Sequence, residues 1–247
     1  MSKPDHIVIL TGAGISAESG IDTFRSEGGL WEQYPVEQVA TPEGFAADPA
    51  LVHNFYNMRR AALKNVSPNA AHLALADLEK GLEAQGGTLT IITQNVDNLH
   101  EQGGAKNVIH MHGVLTSLLC QFCGHRWESH EDSSPKDSCI ACQRIAGPRP
   151  DIVWFGEMPY ELDRIDQVMS QADLFVSIGT SGAVYPAAGL VSEARRRGVK
   201  TLELNLEESQ GTSLFDESRL GKAGEIVPKW VSEVLAFKKK ARRGGRA

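Results

Sequence analysis

The sequence contains no apolar run near the ~20 residues that a membrane-spanning helix requires, which leaves no candidate for such a span. Its first residues, Met1-Ser2-Lys3-Pro4-Asp5, lack the basic region and long apolar core of a secretory signal. Positive charge is in deficit: 25 Lys and Arg stand against 31 Asp and Glu, a net charge of -6. That balance argues against general nucleic-acid binding. Its exception is Lys238-Lys239-Lys240-Ala241-Arg242-Arg243-Gly244-Gly245-Arg246, read as a solvated, disordered end. No cysteine lies outside residues 120–142, where all four occur. Thiols clustered in this way fit a metal site and not a disulfide scaffold, and with the missing signal they point to the cytoplasm. Internal repeats and low-complexity linkers are also absent. What remains is 247 residues, 41% hydrophobic, enough for one large domain or a domain with a small insert.

Short continuous apolar runs carry the fold signal. Ile7 to Leu10 leads into Gly12-Ala13-Gly14-Ile15-Ser16-Ala17. Thr88 to Ile92 leads into Thr93-Gln94-Asn95-Val96-Asp97-Asn98-Leu99-His100, and Leu174 to Ile178 into Gly179-Thr180-Ser181. Thr201 to Leu206 ends near Asn205 and Glu207. Runs of this kind suit strands buried on both faces. Strands that end in small or polar residues and alternate with helices imply an α/β fold. Its sheet is parallel, with a ligand along its carboxyl edge.

The first turn reads G-x-G-x-x-A, whose glycines let backbone approach a pyrophosphate ahead of a helix N-terminus. A tight structural turn explains the same residues. The acidic ribose-binding residue of a dehydrogenase should close a second strand about 20 residues later. Leu30-Trp31-Glu32-Gln33-Tyr34-Pro35 does not read as a strand, so that fingerprint fits badly. The glycine-punctuated stretch 19–31, with Phe24 beside Arg25, reads as a lid over a ligand or as an irregular loop.

Asp48-Pro49 opens a helix, with Asp as N-cap and Pro at its first position. On it Tyr56 and Arg59 share a face. An Arg fork beside a hydroxyl can hold a carboxylate; core-edge packing and a solvated charge are the plainer reading. Ser67-Pro68 starts a second helix whose stripe of Ala71, Leu75, Leu78 and Leu82 is core. Val108 to His112 reads as an extended run with both histidines on one side, and Gly113 leaves space beside His112. His100 is assigned to structure. Pro186 to Arg197 reads as a helix, and Val227-Pro228 leads into a last one. Cys120-x-x-Cys123, fifteen residues, then Cys139-x-x-Cys142 is the spacing of two zinc knuckles. All four thiolates are used as ligands, so the metal is structural; a redox pair is the alternative.

Taken in order, Gly12-Ala13-Gly14-Ile15-Ser16, Thr93-Gln94-Asn95-Val96-Asp97, His110-Met111-His112-Gly113, the paired knuckles and Gly179-Thr180-Ser181 resemble the sirtuins, NAD-dependent protein-lysine deacylases. The resemblance runs from about Ile7 to Val231. Phe-Tyr-x-x-Arg at 55–59 and Val153-Trp154-Phe155-Gly156-Glu157 look like the bacterial CobB-type, class III group. It implies a Rossmann-like parallel sheet flanked by helices, with a smaller zinc-binding and helical module. The implied NAD domain spans 1–33, 86–113 and 147–247, the helical module 34–85 and the zinc module 114–146.

The resemblance also implies roles. Gly12, Ala13, Gly14, Ile15 and Ser16 cradle the diphosphate, and Phe24, Arg25 and Trp31 lie on the loop closing over NAD. Gln94, Asn95, Val96 and Asp97 hold the nicotinamide ribose and carboxamide. Val96 stands where the family often has isoleucine. Gly179, Thr180, Ser181, Asn205, Leu206, Glu207 and Ala223 line the adenosine side. Cys120, Cys123, Cys139 and Cys142 bind the structural zinc. The acyl oxygen attacks C1′ of the ribose as nicotinamide leaves, Asn95 orients the sugar, and neutral His112 acts as general base. Tyr56 and Arg59 read the carboxylate of a succinyl-lysine. The substrate peptide adds as a strand beside Phe155, Gly156, Glu157 and the 182–185 loop. Acyl-lysine proteins are the implied partners, with no membrane, no specific nucleic acid and a monomeric state. An NAD-dependent oxidoreductase and a zinc-ribbon nucleic-acid-binding protein are the alternatives. Glu128, Glu131, Asp132 and Asp137 around the knuckles oppose the second.

Overall fold

The computed structural model describes residues 4–21 and 34–244, with side chains of the closing helix described through residue 236. Among these residues the strands are β1 (His6–Thr11), β2 (Thr88–Thr93), β3 (Val108–His110), β4 (Gly113–Cys120), β5 (Arg126–Glu128), β6 (Pro148–Ile152), β7 (Leu174–Ile178), β8 (Lys200–Asn205) and β9 (Glu217–Leu220). Six of them form a parallel sheet in the order β3-β2-β1-β7-β8-β9. The other three form an antiparallel sheet, β5-β4-β6.

The apolar runs become interior strands because helices cover both faces. Alternate side chains of β1 point to opposite sides. Ile7 and Ile9 pack under Leu75, Leu78 and Leu82 of the helix Ala70–Glu83 and under Val227 and Trp230 of the helix Ala223–Gly244. Val8 and Leu10 meet Ile165 and Met169 of Leu162–Ser170 and Val191 and Ala194 of Leu190–Arg196. Each such buried aliphatic side chain contributes roughly 1.5–3 kcal/mol.

A third cluster lies beside the sheet. Val39, Phe45, Val52, Phe55 and Tyr56 pack with Leu115, Ile152 and Trp154. The helix Pro49–Leu63 supplies most of its first half and begins as expected, Asp48 accepting from Leu51 N at 2.9 Å. The next helix starts at Ala70, not at Ser67-Pro68. Asn69 caps it, and the His72 ring accepts back from the Asn69 amide.

The Ala70–Glu83 helix buries its stripe on the parallel sheet. β6 pairs with β4 of the antiparallel sheet. The closing helix starts at Ala223, before Val227-Pro228, and carries the basic end to Gly244 in helical form. The expected helix from Pro186 is a 3-10 turn, Ala187–Gly189, followed by Leu190–Arg196.

β1 sits at the middle of the sheet. The chain builds β2 and β3 on one side of it, then β7, β8 and β9 on the other. This is a topological switch point, where open α/β sheets form a crevice. Thr11 registers with Thr93 and Ile178, and Ile178 with Leu204, so Gly12, Gln94, Gly179 and Asn205 leave the sheet at one edge.

Candidate active site

At the switch point two turns dock backbone to backbone. Gly12 N donates to Ile178 O at 3.0 Å and Gly14 N to Gly179 O at 2.8 Å. A Cβ on Gly12 would stand 2.8 Å from Gly179 O, and Gly179 itself has φ +63°. These glycines therefore serve the contact between β1 and β7 before they serve any ligand. The chain continues as two 3-10 turns, Ala13–Ile15 and Ala17–Ser19. These short turns replace the expected α-helix N-terminus and its macrodipole.

A cavity of about 760 Å³ opens above this edge. Gly12, Ala13, Gly14, Gln94, Asn95, Val96, Gly179, Thr180, Ser181, Asn205, Leu206 and Glu207 line it, as do Tyr56, Arg59, His112, Phe155, Gly156 and Glu157. Residues from widely separated stretches of the chain thus meet around one space. Ile15, Ser16 and Asp97 lie behind the wall, and Ala223 packs against the sheet core. Phe24, Arg25 and Trp31 fall outside the described residues.

The wall residues are held by specific bonds. Both amide hydrogens of Asn95 are engaged, on Gly12 O at 3.1 Å and Ser16 Oγ at 3.2 Å. What Asn95 presents to a ligand is therefore its carbonyl oxygen, an acceptor suited to a sugar hydroxyl. Asp97 accepts from Ser16 Oγ and from Leu99 N, each at 3.1 Å, and burial pushes its pKa up. Through Ser16 it anchors the Asn95 turn. Gln94 Nε2 donates to Thr180 Oγ1 at 3.1 Å and Asn205 Nδ2 to Thr180 O at 2.9 Å, tying three strand ends together.

The two histidines of the His110-Met111-His112 run face different surroundings. β3 ends at His110, and a turn at 111–112 separates the two rings, so they do not share one side of a strand. His110 contacts two acceptors, Glu101 Oε1 at 2.6 Å and Asn95 O at 3.3 Å. Burial opposes its charge, but the Glu101 hydrogen bond and carboxylate outweigh that and raise its pKa. His112 Nδ1 lies 3.2 Å from Gln94 O. A carbonyl only accepts, so Nδ1 carries the proton and Nε2 keeps its lone pair. Burial lowers the His112 pKa, against the pull of that carbonyl, so the ring is neutral near pH 7.

Gly113 does not provide space beside His112. Its φ is +81°, and a Cβ there would collide with Asp151 O of β6. Gly113→Ala is expected to lower stability by at least about 1–3 kcal/mol from backbone strain. Urea denaturation reads it, and an unchanged midpoint would show that β6 can yield.

At the far end of the cavity Tyr56 is buried and accepts from Trp154 Nε1 at 3.0 Å. Burial pushes the Tyr56 pKa up to about 12, so it stays protonated. The Arg59 guanidinium sits 5.8 Å from the Tyr56 ring centroid and 5.6 Å from that of Phe55. Burial lowers its pKa, countered by Tyr56 and Asp97. Glu157, expected to touch substrate, lines the cavity and also holds Arg149 and Trp154. Its oxygens accept from Arg149 Nη1 and Nη2, each at 2.8 Å, and from Trp154 N at 2.9 Å. The sequence singles out Trp154 only as part of a motif, without a role, and Arg149 not at all; the one signal for Arg149 is its place eight residues before Glu157.

The four cysteines meet in the second module. All four Sγ atoms lie within 4.8 Å of one another, and two pairs stand 3.7 Å apart. Tetrahedral zinc with Zn–S near 2.3 Å needs sulfurs about 3.8 Å apart, so the thiols fit the ion. Backbone amides shape the knuckles: Gly124 N donates to Cys120 O and Gln143 N to Cys139 O, both at 2.9 Å.

These features define a doubly wound α/β protein with its ligand crevice at the switch point and a four-thiolate metal module beside it. Residues 12–186 match the Sir2 family. An NAD-dependent protein deacylase of Caulobacter vibrioides is 54% identical over 230 residues, covering 93% of this chain and 97% of that protein. One from Vibrio cholerae serotype O1 is 55% identical over 245 residues, 98% of each chain. A solved Sir2 homologue–NAD complex has a TM-score of 0.84 at 41% identity, covering 95% of this chain and 91% of that one. The chain belongs to the Sir2 family, as its resemblance to the sirtuins implied.

Proposed function

We propose that this chain is an NAD-dependent protein-lysine deacylase that removes acetyl and succinyl groups and releases nicotinamide and O-acyl-ADP-ribose. The observation that carries the reading is one cavity that joins the glycine turns, His112 and the Tyr56–Arg59 pair. The relatives' shared name, NAD-dependent protein deacylase, supports the same activity. The docked turns at Gly12–Gly14 and Gly179–Ser181 give a backbone floor on which a diphosphate can lie. Bound NAD supplies an activated ribose carbon as acceptor for the acyl oxygen. Asn95 and Gln94 orient the sugar, and preorganised polar groups of this kind lower a barrier without being a nucleophile. His112 Nε2 takes the proton of a ribose hydroxyl. Phe155, Met158 and Tyr185, 50%, 72% and 78% exposed, offer apolar contact for a peptide at the mouth.

The chemistry is that of acyl transfer, and not the hydride transfer of an oxidoreductase. Nicotinamide release without a rise in NADH absorbance is the expected signature. Among the described residues no helix is long and apolar enough to cross a membrane. A monomer located in the cytoplasm suits thiols that must stay reduced to hold a metal.

Arg59 supplies the test of acyl choice. Charged hydrogen bonds contribute roughly 1.5–3 kcal/mol. Arg59→Met is therefore expected to lower kcat/KM on succinyl-lysine peptides about ten- to hundredfold relative to matched acetyl peptides. Equal losses on both would refute the carboxylate role.

A further inference from the structure

We propose that Trp154 is a specificity-determining positioning residue: its indole N–H fixes which way the Tyr56 hydroxyl donates, and so aims that hydroxyl at a carboxylate in the acyl end of the cavity. The inference rests on the reading of Tyr56 and Arg59 as the carboxylate-binding pair. A phenol hydrogen lies in the ring plane in one of two opposed orientations. Trp154 Nε1 donates to the Tyr56 oxygen at 3.0 Å, which occupies one of them with a donor. The Tyr56 hydrogen must then take the other, because two hydrogens cannot point at each other. Tyr56 lines the cavity. It is held with its proton, so its role there is that of a donor.

Trp154 is itself held by ring contacts and through its backbone. The Arg149 guanidinium stacks 3.7 Å from the indole centroid. The Phe45 ring lies at 5.2 Å, and Phe45 and Trp154 share one core cluster. Glu157 binds Arg149 through both oxygens and also accepts from Trp154 N. Arg149 further donates to Ile152 O at 2.9 Å, which ties the clamp to β6. An indole so held has one direction in which its N–H can point. This gives Glu157 a purpose: it fixes the tryptophan that fixes the tyrosine.

Trp154→Phe keeps an aromatic ring beside Arg149 and Phe45 but removes the donor. The expected result is a fall of about five- to tenfold in the succinyl-to-acetyl ratio of kcat/KM, carried by KM for the succinyl peptide. Tyr56→Phe lowers the ratio similarly, and the double variant falls no further than Tyr56→Phe alone, since both act through one hydroxyl. Additive losses would overturn the proposal. An unchanged ratio in Trp154→Phe beside a lowered ratio in Arg59→Met overturns the positioning role alone. An unchanged ratio in both overturns the carboxylate reading and this inference with it. Should Trp154→Phe fail to fold, exchange of the Trp154 indole N–H, followed by NMR, gives the answer. Slow exchange in the wild-type protein that quickens in Tyr56→Phe supports the bond; free-indole exchange in the wild type overturns it.

Discussion

His112→Ala is expected to lower deacylation by about 10²–10⁴-fold while the protein still folds and binds NAD. The size reflects the removal of a general base. The fold is spared because the ring is tied to its surroundings by a hydrogen bond to Gln94 O, and no core cluster depends on it. Calorimetric NAD binding near the wild-type value, with turnover lost, is the result to look for; wild-type turnover would remove His112 from the chemistry. The pH profile gives the sign independently. Burial holds the pKa of His112 below the ordinary histidine value of 6.5. The base form is thus complete at neutral pH, and kcat/KM should fall only as the pH drops below about 6.5. A rate that keeps climbing through pH 7 to 8 would assign the titration to another group.

The second large effect concerns the four-cysteine metal site. Cys139→Ser, or removal of zinc by a strong chelator, is expected to unfold the 113–152 module. Structural zinc contributes on the order of 10–16 kcal/mol in small modules. Apolar packing holds the 121–147 segment weakly, with Phe122, Ile140 and Ile145 49%, 57% and 69% exposed, and its tie to the Pro49–Leu63 helix runs through Ser133 to His53 and Asn57. β4 runs from Gly113 to Cys120, so the disturbed module begins one residue after His112. Activity should therefore fall together with the near-ultraviolet circular dichroism of the module's aromatic rings, and both should return when zinc is restored to the chelated wild type. One zinc per chain is the expected content. Retention of zinc and of melting temperature in Cys139→Ser would show that three thiolates suffice.

Some of this molecule is legible in the chain and some is not, for physical reasons. β1, β2, β7 and β8 are readable because strands covered on both faces must be apolar throughout. The knuckles are readable because a tetrahedron of sulfurs constrains local spacing. β6 is readable only at its end, where Asp151 to Trp154 reads as extended, since Pro148-Arg149-Pro150-Asp151-Ile152 is polar in sequence yet buried along its length. Its charges are met by distant partners: Asp151 accepts from Ser117, Arg126 and Tyr160. The Trp154–Tyr56 bond joins residues 98 apart. The helix start at Asn69 uses a histidine where a capping box would place Glu or Gln. Gly12 and Gly14 stand out in sequence for ligand chemistry, whereas their first requirement is contact with Gly179. The Arg149–Glu157 pair is not readable either, because nothing local announces it.

The order of the parallel sheet has a kinetic consequence. β1, the earliest of its six strands in the chain, must wait for β7 to close its second edge, and Thr11 registers with Ile178 across most of the chain. Loop-closure entropy has to be met before such a pairing yields contacts, which slows parallel sheets. The docking of Gly12–Gly14 on Gly179 is therefore a late event in maturation. A nascent chain that has emerged only through its zinc module holds His112 but no completed crevice. The crevice is completed only with the strands from Leu174 onward, long after His112 has been made.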